Sequence, residues 1–521
     1  MPQTDKKQPT VCLITPPSIF LLDERVFVNL GILKVASVLE AAGYPIEMLD
    51  LSGIENYEDA IRDHAMVSKA IFYGITSTTP QMPATARIAR VIRQARPQVR
   101  LILGGPHVTL VHSAFKRESI EGLDGRATKA MKSLQHIFDI LVVGDGEDAV
   151  FEALSEHPEQ IVDANDRTSR YFLNNQRLEN LPYPARHLVD MDSYHYQIEG
   201  HRATSIIAQL GCPFECGFCG GRQSPMLRII RTRSSGNIIE EIRHIYETYG
   251  HTGFMFYDDE LNVNPKMVEL MNGIAELQKN LGADFRLRGF VKAELFNDAQ
   301  AEAMRRAGFR WLLTGFESGS PRILGNINKK ATREQNTRAV EIARRHGLKV
   351  KALMSIGHPG ESRDTVMETK DWLLEVEPDD FDVTIITTYP GTPYYDFAIR
   401  DPKQRDIWVY TYQKTGDRLF SFEVDYNEVA DYYKGDPDGG YKAYVFTDHL
   451  DAEELVRLRD FVERDVRREL GISFNPSAPS IRYEHSMGQF GSKLPSNILR
   501  TSRPADAGIS VSSRSSAKKT A

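Results

Sequence analysis

The chain has 521 residues, of which 41% are hydrophobic and 26% charged, so it has the composition of a globular protein and is too long for one ordinary core. Its net charge of −7 disfavours a surface for nucleic acid or anionic membranes, and we predict no nucleic-acid partner. No apolar run approaches the roughly 20 residues of a membrane span, and the polar N-terminus lacks the apolar core of a secretory signal. We therefore expect a cytoplasmic protein.

Residues 11–150 alternate short apolar runs with amphipathic helical patterns. The runs are VCLIT (11–15), IEMLDL (46–51), AIFYGIT (70–76), VRLILGG (99–105) and DILVVGDG (139–146). This alternation predicts an α/β domain over residues 1–150, a Rossmann-like, doubly wound parallel sheet with helices on both faces. Ligands of such a sheet bind at the carboxyl ends of its strands. Cys12 lies inside the first run, where a free cysteine packs as a small hydrophobic residue.

A second β/α series follows an irregular, proline-containing linker over residues 151–200. Its apolar runs are SIIAQL (205–210), GFMFYD (253–258), FRLRGF (285–290), WLLTGF (311–316), KVKALMSIG (349–357) and FDVTIITTYPG (381–391). Six strand–helix repeats predict a partial (β/α)6 barrel over residues 201–395. Residues 396–475 carry aromatic residues and an amphipathic helix, which predict a small α-rich C-terminal cap that selects the substrate. The polar residues 476–521 predict a disordered tail.

Three of the four cysteines lie in the segment LGCPFECGFCGG, directly after a predicted strand. Cys212, Cys216 and Cys219 have the spacing C-x3-C-x2-C. Three thiolates from one loop can each bind one iron of a four-iron–four-sulfur cluster, and the open fourth iron can chelate the amino and carboxylate groups of S-adenosylmethionine (SAM). The alternative, a structural zinc loop, needs a fourth ligand, and neither His187 nor His201 stands at a zinc-finger spacing.

The cysteine triplet, with Phe218 directly before its third cysteine, resembles the signature of the radical SAM enzymes. FYDDELNVN, GFESGSPRIL, LMSIGHPGES and YPGTPYYDF resemble further blocks of that family, in the family's order. The resemblance covers roughly residues 10–395 and is closest to the methylase-like subclass with an N-terminal cobalamin-binding domain. It implies three cofactors: a 4Fe-4S cluster, SAM and cobalamin.

The resemblance also implies a set of SAM contacts at the ends of the barrel strands, namely Phe218, Gly220, Gly221, Glu317, Gly357 and Gly360. Phe218 is expected to lie against the adenine, although an aromatic residue in an apolar loop also packs without a ligand. The glycine pair allows the backbone to approach the methionine moiety, and the later two glycines suit a tight turn beside the adenine. Glu361 follows that turn near a helix N-terminus, where a carboxylate also has a purely architectural use.

Two carboxylates at strand ends are candidate catalytic residues. Glu317 is expected to accept hydrogen bonds from the ribose or the amino group of SAM, and its alternative is an ion pair with Arg286 or Arg288. Asp258 and its neighbour Asp259 end the second barrel strand, where a carboxylate either orients the substrate or serves as a solvated or capping group.

Three strand ends of the first domain resemble blocks of the cobalamin-binding fold: GITSTT (74–79), LGGPHVT (103–109) and VVGDGED (142–148). The implied cobalamin contacts are Thr76, Ser77, Thr78, Gly104, Gly105, His107, Gly144, Gly146 and Glu147. The hydroxyl run would hold corrin amides, and the glycines leave room for the nucleotide tail. The first strand leads into ITPPSIF, which contains neither G-x-G-x-x-G nor Asp-x-His-x-x-Gly, so we expect no dinucleotide and no histidine ligand to cobalt. A Rossmann-like domain that binds nothing, or another ligand, is the alternative.

These features predict an enzyme that cleaves SAM to a 5′-deoxyadenosyl radical and methylates an unactivated carbon of a small molecule or natural-product intermediate through methylcobalamin. The resemblance implies an electron donor such as flavodoxin or ferredoxin. One alternative is a non-methylating member that cyclises, oxidises or rearranges its substrate, and another is a non-enzymatic corrinoid or iron–sulfur sensor. The cysteines suffice for one cluster, which disfavours a methylthiotransferase with a second.

Overall fold

Two parallel sheets and a C-terminal region make up the fold, which the computed structural model describes over residues 8–21, 24–222, 224–433, 440–473 and 499–501. The first sheet contains β1 (Val11–Thr15), β2 (Ile46–Asp50), β3 (Phe72–Thr76), β4 (Arg100–Gly104), β5 (Ile140–Val143) and β6 (Ile161–Asp163). Its helices are α1 (Leu30–Ala41), α2 (Tyr57–Val67), α3 (Met82–Ala95), α4 (Pro106–Ile120), α5 (Arg126–Ile137), α6 (Gly146–Ala153) and α7 (Asn175–Asn180).

The first sheet is doubly wound, as predicted. Its strands follow the order β2-β1-β3-β4-β5-β6, and all neighbouring pairs in this series are parallel. Successive residues of β1 alternate between two cores: Cys12 and Ile14 lie in one, Val11 and Leu13 in the other. Because the strand order reverses between β1 and β3, the carboxyl ends of these strands border a crevice that can bind a ligand.

The second sheet is a half-barrel of six parallel strands in sequential order, with β7 added antiparallel at one edge. Its strands are β7 (Gln197–Ile198), β8 (His201–Ile206), β11 (Gly253–Phe256), β12 (Arg286–Phe290), β13 (Phe309–Glu317), β14 (Lys349–Ile356) and β15 (Asp380–Ile385), while β9 (Gln209–Leu210) and β10 (Arg231–Thr232) form a separate pair. The accompanying helices are α8 (Pro225–Arg228), α9 (Ser235–Tyr249), α10 (Met267–Leu281), α11 (Asp298–Arg306), α12 (Pro321–Asn326), α13 (Arg333–Arg345), α14 (Arg363–Val376) and α15 (Pro393–Asp396). The six predicted barrel strands are confirmed.

The C-terminal region differs from the α-rich cap that we expected. It combines one long helix, α16 (Ala452–Leu470), with an antiparallel sheet of β16 (Ile399–Arg400), β17 (Ile407–Thr411), β18 (Arg418–Phe422) and β19 (Val445–Thr447). The aromatic residues of this region pair across strands, with the rings of Phe420 and Phe446 stacked at 4.7 Å. The helix covers the outer edge of β15, because Glu463 accepts a hydrogen bond from the Val383 amide and Arg459 donates to the Val383 carbonyl.

The first sheet includes strands from two segments that were predicted to lie outside it, the linker 151–200 and the tail 476–521. The first sheet does not end at residue 150, because β6 pairs in parallel with β5 inside the predicted linker. Leu188 and Tyr194 of that linker are buried in the core of the first sheet. Most of residues 476–521 lies outside the described residues, but β20 (Leu499–Thr501) pairs antiparallel with β2.

Candidate functional site

The cysteine loop lies across the carboxyl end of the half-barrel. Its two ends are joined by the antiparallel pair β9–β10. Within the loop, the Gly217 amide donates to the Ile327 carbonyl at 2.8 Å, and the Gly221 amide donates to the Gly391 carbonyl at 3.1 Å. Ile327 follows β13 and Gly391 follows β15, so the barrel scaffold holds the loop from two sides.

The three thiols fit a cluster better than a single ion. The pKa of Cys212 is raised to about 11 and that of Cys219 to about 12, mainly by desolvation and in part by Asp259 and the neighbouring thiols. Over the described residues, however, the three sulfur atoms do not form a group within 4.8 Å of one another, as one bound ion would require. Thiolates on three different irons of a cube are spread more widely.

Accessible side chains lie at the strand ends beside the cysteine loop. Tyr257 is 45% exposed, and Cys219 and Asp259 are exposed as well. Burial nevertheless raises the pKa of the Tyr257 hydroxyl to about 12, and it also raises the pKa of Asp259. We call the accessible surface that these side chains form the strand-end surface.

Two buried lysines that the sequence analysis missed lie close to the cysteine loop. Burial raises the pKa of Cys216, and the positive charges of Lys329 and Lys292 oppose that rise. The Lys292 ammonium lies 4.1 Å from the centre of the Phe214 ring in the cysteine loop. Both lysines stand in loops after strands, where no periodic pattern marks them. Their charges favour an anionic group such as a thiolate at the loop.

Glu317 ends β13 at the same edge of the sheet. One carboxylate oxygen lies 3.1 Å from the Lys329 ammonium, and the other accepts a hydrogen bond from Ser355 at 3.0 Å. The predicted alternative, an ion pair with Arg286 or Arg288, is therefore wrong, since the cation is Lys329. Glu317 has a positive φ of 66° beside an irregularity in the β13–β14 register.

The surroundings of Asp258 favour the capping alternative, and its catalytic role stays a prediction. Asp258 is buried, and its carboxylate accepts hydrogen bonds from the backbone amides of Ala208 and Gln209. Its carboxylate therefore holds the chain after β8. Its neighbour Asp259 is the carboxylate next to Cys212 and Cys219.

The remaining predicted SAM contacts have mixed surroundings. Phe218 is half-buried, and its ring lies 5.4 Å from that of His358, edge to face. Gly221 has a positive φ of 79°. A Cβ at Gly357 would come within 3.3 Å of Val445, and one at Gly360 within 2.6 Å of the Asp417 carboxylate. The C-terminal region thus fills the space on the Cβ side of both later glycines.

The hydroxyl run after β3 offers two accessible groups. Thr76 is half-buried and Thr78 exposed, whereas Ser77 is fully buried. The Ser77 hydroxyl accepts a hydrogen bond from Thr85 and donates to the Thr78 carbonyl. Ser77 thus supports the loop from below, and Thr76 and Thr78 are the hydroxyls that a ligand can reach.

Gly104 and Gly105 differ in the space available beside their Cα atoms. A Cβ at Gly104 would meet no atom within 4 Å, so this position opens onto free space. Gly105 has a φ of 97°, and a Cβ there would lie 2.7 Å from the Thr76 hydroxyl and 2.8 Å from the Ser77 amide. Only glycine fits this backbone contact. Thr109, which the sequence analysis missed, accepts a hydrogen bond from Gly144 and donates to the Gly105 carbonyl.

Residues of the last predicted cobalamin loop contact mainly other residues of the protein. A Cβ at Gly146 would lie 2.9 Å from a methyl group of Val35, and the buried Glu147 pairs with Lys34 at 3.1 Å. His107 is 1% exposed, and its Nδ1 lies 3.1 Å from the hydroxyl of Thr79. Burial lowers the pKa of His107 to about 3, so the ring is neutral. Their roles as tail contacts stay predictions.

The two strand edges face each other. Leu110 on α4 lies 3.5 Å from the position that a Cβ of Gly220 would take, and 3.1 Å from that of Gly391. Arg231, just after the cysteine loop, forms a buried ion pair with Asp145 in the loop after β5 of the first sheet. The cysteine loop thus packs directly on the ligand edge of the N-terminal sheet.

Cys12 is buried, as expected, and has polar neighbours. Within the described residues, Cys12, Glu47 and His64 are the one group of possible metal ligands within 4.8 Å of one another. His64 lies 3.0 Å from the Glu47 carboxylate, which also accepts a hydrogen bond from Ser68. These contacts satisfy the carboxylate without a metal.

Comparison with known proteins agrees with this architecture. A sequence model of the Radical SAM superfamily matches residues 206–373, and one of the B12 binding domain matches residues 24–135. An uncharacterized methyltransferase from Pyrococcus horikoshii is 29% identical over 337 residues, 63% of this chain and 69% of that protein. The anaerobic magnesium-protoporphyrin IX monomethyl ester cyclase of Rubrivivax gelatinosus is 22% identical over 428 residues, 77% of this chain and 69% of that protein.

The fold is also similar to a solved structure. The radical S-adenosylmethionine methyltransferase TsrM from Kitasatospora setae, solved with cobalamin and a [4Fe-4S] cluster, has a TM-score of 0.62 at 15% identity, over 90% of this chain and 92% of that chain. The fold and the cysteine loop therefore define a radical SAM protein with a B12-binding domain before its barrel. The two matched domains, Radical SAM and B12-binding, imply a 4Fe-4S cluster, SAM and cobalamin as cofactors, as predicted. In the described part of the chain, no helix is long and apolar enough to cross a membrane.

Proposed function

We propose that this enzyme cleaves SAM to a 5′-deoxyadenosyl radical and methylates an unactivated carbon of a small molecule or natural-product intermediate, with cobalamin as methyl carrier. The observation that carries the proposal is the direct packing of the cysteine loop on the ligand edge of the N-terminal sheet, at Leu110 and Gly220. Such packing brings a SAM-binding loop and a corrin-binding edge to one place. When bound, the cluster supplies one electron to SAM and cobalamin supplies the methyl group.

In this proposal, the cysteine loop and the adjoining strand ends hold the cluster and SAM. Cys212, Cys216 and Cys219 are the cluster ligands, and the charges of Lys292 and Lys329 stabilise the thiolate form of Cys216. Glu317 accepts hydrogen bonds from SAM, since its carboxylate is held at the same edge by Lys329. Phe218, Gly220, Gly221, Gly357 and Gly360 complete the proposed SAM contacts.

Thr76, Thr78 and Gly104 are the proposed direct cobalamin contacts, because these three positions present accessible hydroxyls or free space. Ser77, Gly105 and Thr109 hold that loop in shape beneath them. We further propose that residues 396–475 select the substrate and that flavodoxin or ferredoxin donates the electron.

A non-methylating reaction is the second candidate. The relative from Rubrivivax gelatinosus is a cyclase, and its similarity spans 77% of this chain. A cyclase-type enzyme would use the same SAM site and the same corrin edge, but it would not pass a methyl group from SAM to the corrin.

The test uses full-length protein reconstituted anaerobically with iron, sulfide and hydroxocobalamin. With a low-potential reductant and SAM labelled in its methyl group, we expect 5′-deoxyadenosine, S-adenosylhomocysteine and label in the corrinoid fraction. Formation of 5′-deoxyadenosine without label transfer would favour the non-methylating alternative. SAM that stays intact in the reconstituted protein, with the Cys216→Ala variant as matched control, would overturn both.

A further inference from the structure

Glu317 stands at the end of a chain of buried hydrogen-bonding side chains. Ser355 contacts one of its carboxylate oxygens at 3.0 Å, and the Nε2 atom of His358 lies 2.8 Å from the Ser355 hydroxyl. The Nδ1 atom of His358 lies 3.3 Å from the hydroxyl of Tyr394. Ser355, His358 and Tyr394 are 6%, 0% and 1% exposed, so water does not compete for these contacts.

The chemistry of the groups gives this chain one direction. A carboxylate only accepts hydrogen bonds, so the hydroxyl of Ser355 donates to Glu317. The Ser355 oxygen must then accept from His358, which makes Nε2 the protonated nitrogen of the ring. Burial lowers the pKa of His358 to about 3, which keeps the ring neutral. Its Nδ1 therefore accepts from Tyr394, and every donor in the chain points toward the carboxylate.

The same chain runs beneath the cysteine loop. A Cβ at Gly217, between two of the cysteines, would lie 2.9 Å from the Tyr394 ring, and the Phe218 ring packs on His358. At the other end, Glu317 is a non-glycine residue with a left-handed backbone, a conformation that persists only where its surroundings hold it. The hydrogen-bond chain therefore connects the loop of the cysteines to the carboxylate that completes the SAM site.

We propose that His358 is a positioning residue, which acts through Ser355 and together with Tyr394 to fix the Glu317 carboxylate for SAM binding under the cysteine loop. This inference rests on the proposed function, in which Glu317 contacts SAM. Lys329 supplies charge to one oxygen of Glu317, while the chain from Tyr394 sets the orientation of the other. Because the His358 ring is fully buried, we expect it to act on SAM only through Ser355 and Glu317.

The test measures the dissociation constant of SAM by calorimetry on the full-length, anaerobically reconstituted protein. His358→Phe and Ser355→Ala should each weaken SAM binding roughly tenfold, the loss expected for one hydrogen bond to a charged group. Because both changes cut the same chain, the double variant should bind SAM as weakly as either single one. His358→Gln offers an amide N–H to Ser355 and should restore most of the affinity. Iron and sulfide content must match the wild type in each variant.

Other results would overturn the inference. Additive losses in the double variant, or equal losses in His358→Gln and His358→Phe, would mean that His358 serves only for packing. The variant Glu317→Gln distinguishes failure of the positioning chain from failure of the proposed function. If Glu317→Gln weakens SAM binding while His358→Phe and Ser355→Ala do not, the positioning chain is wrong and the proposed function stands. If the wild type binds no SAM, both are wrong.

Discussion

The two strand edges that meet in this protein are built from different groups. The edge of the N-terminal sheet consists of glycines, hydroxyls and backbone amides, with Gly105 and Thr109 at its centre. The edge of the half-barrel consists of thiols and buried charges, among them Cys216, Glu317 and Lys329. The first edge therefore depends on space and the second on charge and sulfur. Adding a methyl group to a glycine should therefore impair ligand binding at the N-terminal edge. Removing a thiol or a charged group should impair function at the barrel edge.

Replacement of a cysteine should have the largest effect, and it should be confined to the barrel edge. In Cys216→Ala, one of the three cluster thiolates is lost, so we expect reductive cleavage of SAM to fall to background and the iron content to drop. Cobalamin retention after gel filtration should match the wild type. Cleavage of SAM above a tenth of the wild-type rate would contradict the role of this thiol.

Addition of one methyl group should affect the other edge. In Gly104→Ala, the Cβ enters free space, so we expect normal stability and at least tenfold weaker cobalamin binding. In Gly105→Ala, the Cβ collides with Thr76 and Ser77, and we expect in addition a stability loss of roughly 1–3 kcal/mol. Absorbance of retained corrin and urea unfolding measure the two effects. Equal cobalamin binding in Gly104→Ala and the wild type would place the ligand elsewhere.

A buried carboxylate near the barrel edge should make stability depend on pH. Burial raises the pKa of Glu361 to about 7 from 4.5, and its Oε2 has no hydrogen-bond partner among the described residues. Between these two pH values the folded state holds a proton on Glu361 that the unfolded state has released. The contribution of protonated Glu361 to the free energy of unfolding is therefore fully present below pH 4.5 and is lost as pH rises through 7. Glu361→Gln should therefore stabilise the protein at pH 8 by roughly 3 kcal/mol relative to the wild type, and by little at pH 4.5.

Urea unfolding of the cofactor-free protein at pH 5 and pH 8 tests this dependence. Glu341→Gln, the same change on an exposed site of α13, is the matched control and should show no such difference between the two pH values. If Glu361→Gln and the wild type have parallel pH profiles, Glu361 is ionised in the folded state and the expectation fails.

The smallest effect is expected for the hydroxyl that joins two glycine loops of the N-terminal edge. Thr109→Val removes the contacts to Gly105 and Gly144, and we expect a stability loss of about 1–2 kcal/mol and moderately weaker cobalamin binding. Thr109→Ser keeps the hydroxyl and is the control. A loss in both variants would point to the methyl group of Thr109 and away from its hydrogen bonds.

Much of the architecture follows from local signals. The sequence predicts β1–β5 and the six barrel strands because each is a short apolar run bounded by helical periodicity, and the three cysteines are recognisable by their spacing alone. The antiparallel C-terminal strands were missed because runs such as IWVYT and RLFSF pack partly through aromatic pairs across strands, which leaves no clear alternation. β20 was missed because three residues in a polar tail carry no pattern of their own.

By itself, the sequence determined the two β/α series, the thiol donor set and the glycine-rich strand ends, because each of these is encoded within a few neighbouring residues. Tertiary structure alone decided that Asp258 accepts hydrogen bonds from the backbone after β8 while Asp259 is exposed, that Lys329 is the partner of Glu317, and that Tyr394 is linked to Glu317 through His358. These contacts join residues from different strand ends. They exist only once a parallel sheet has brought all of its carboxyl ends to one edge.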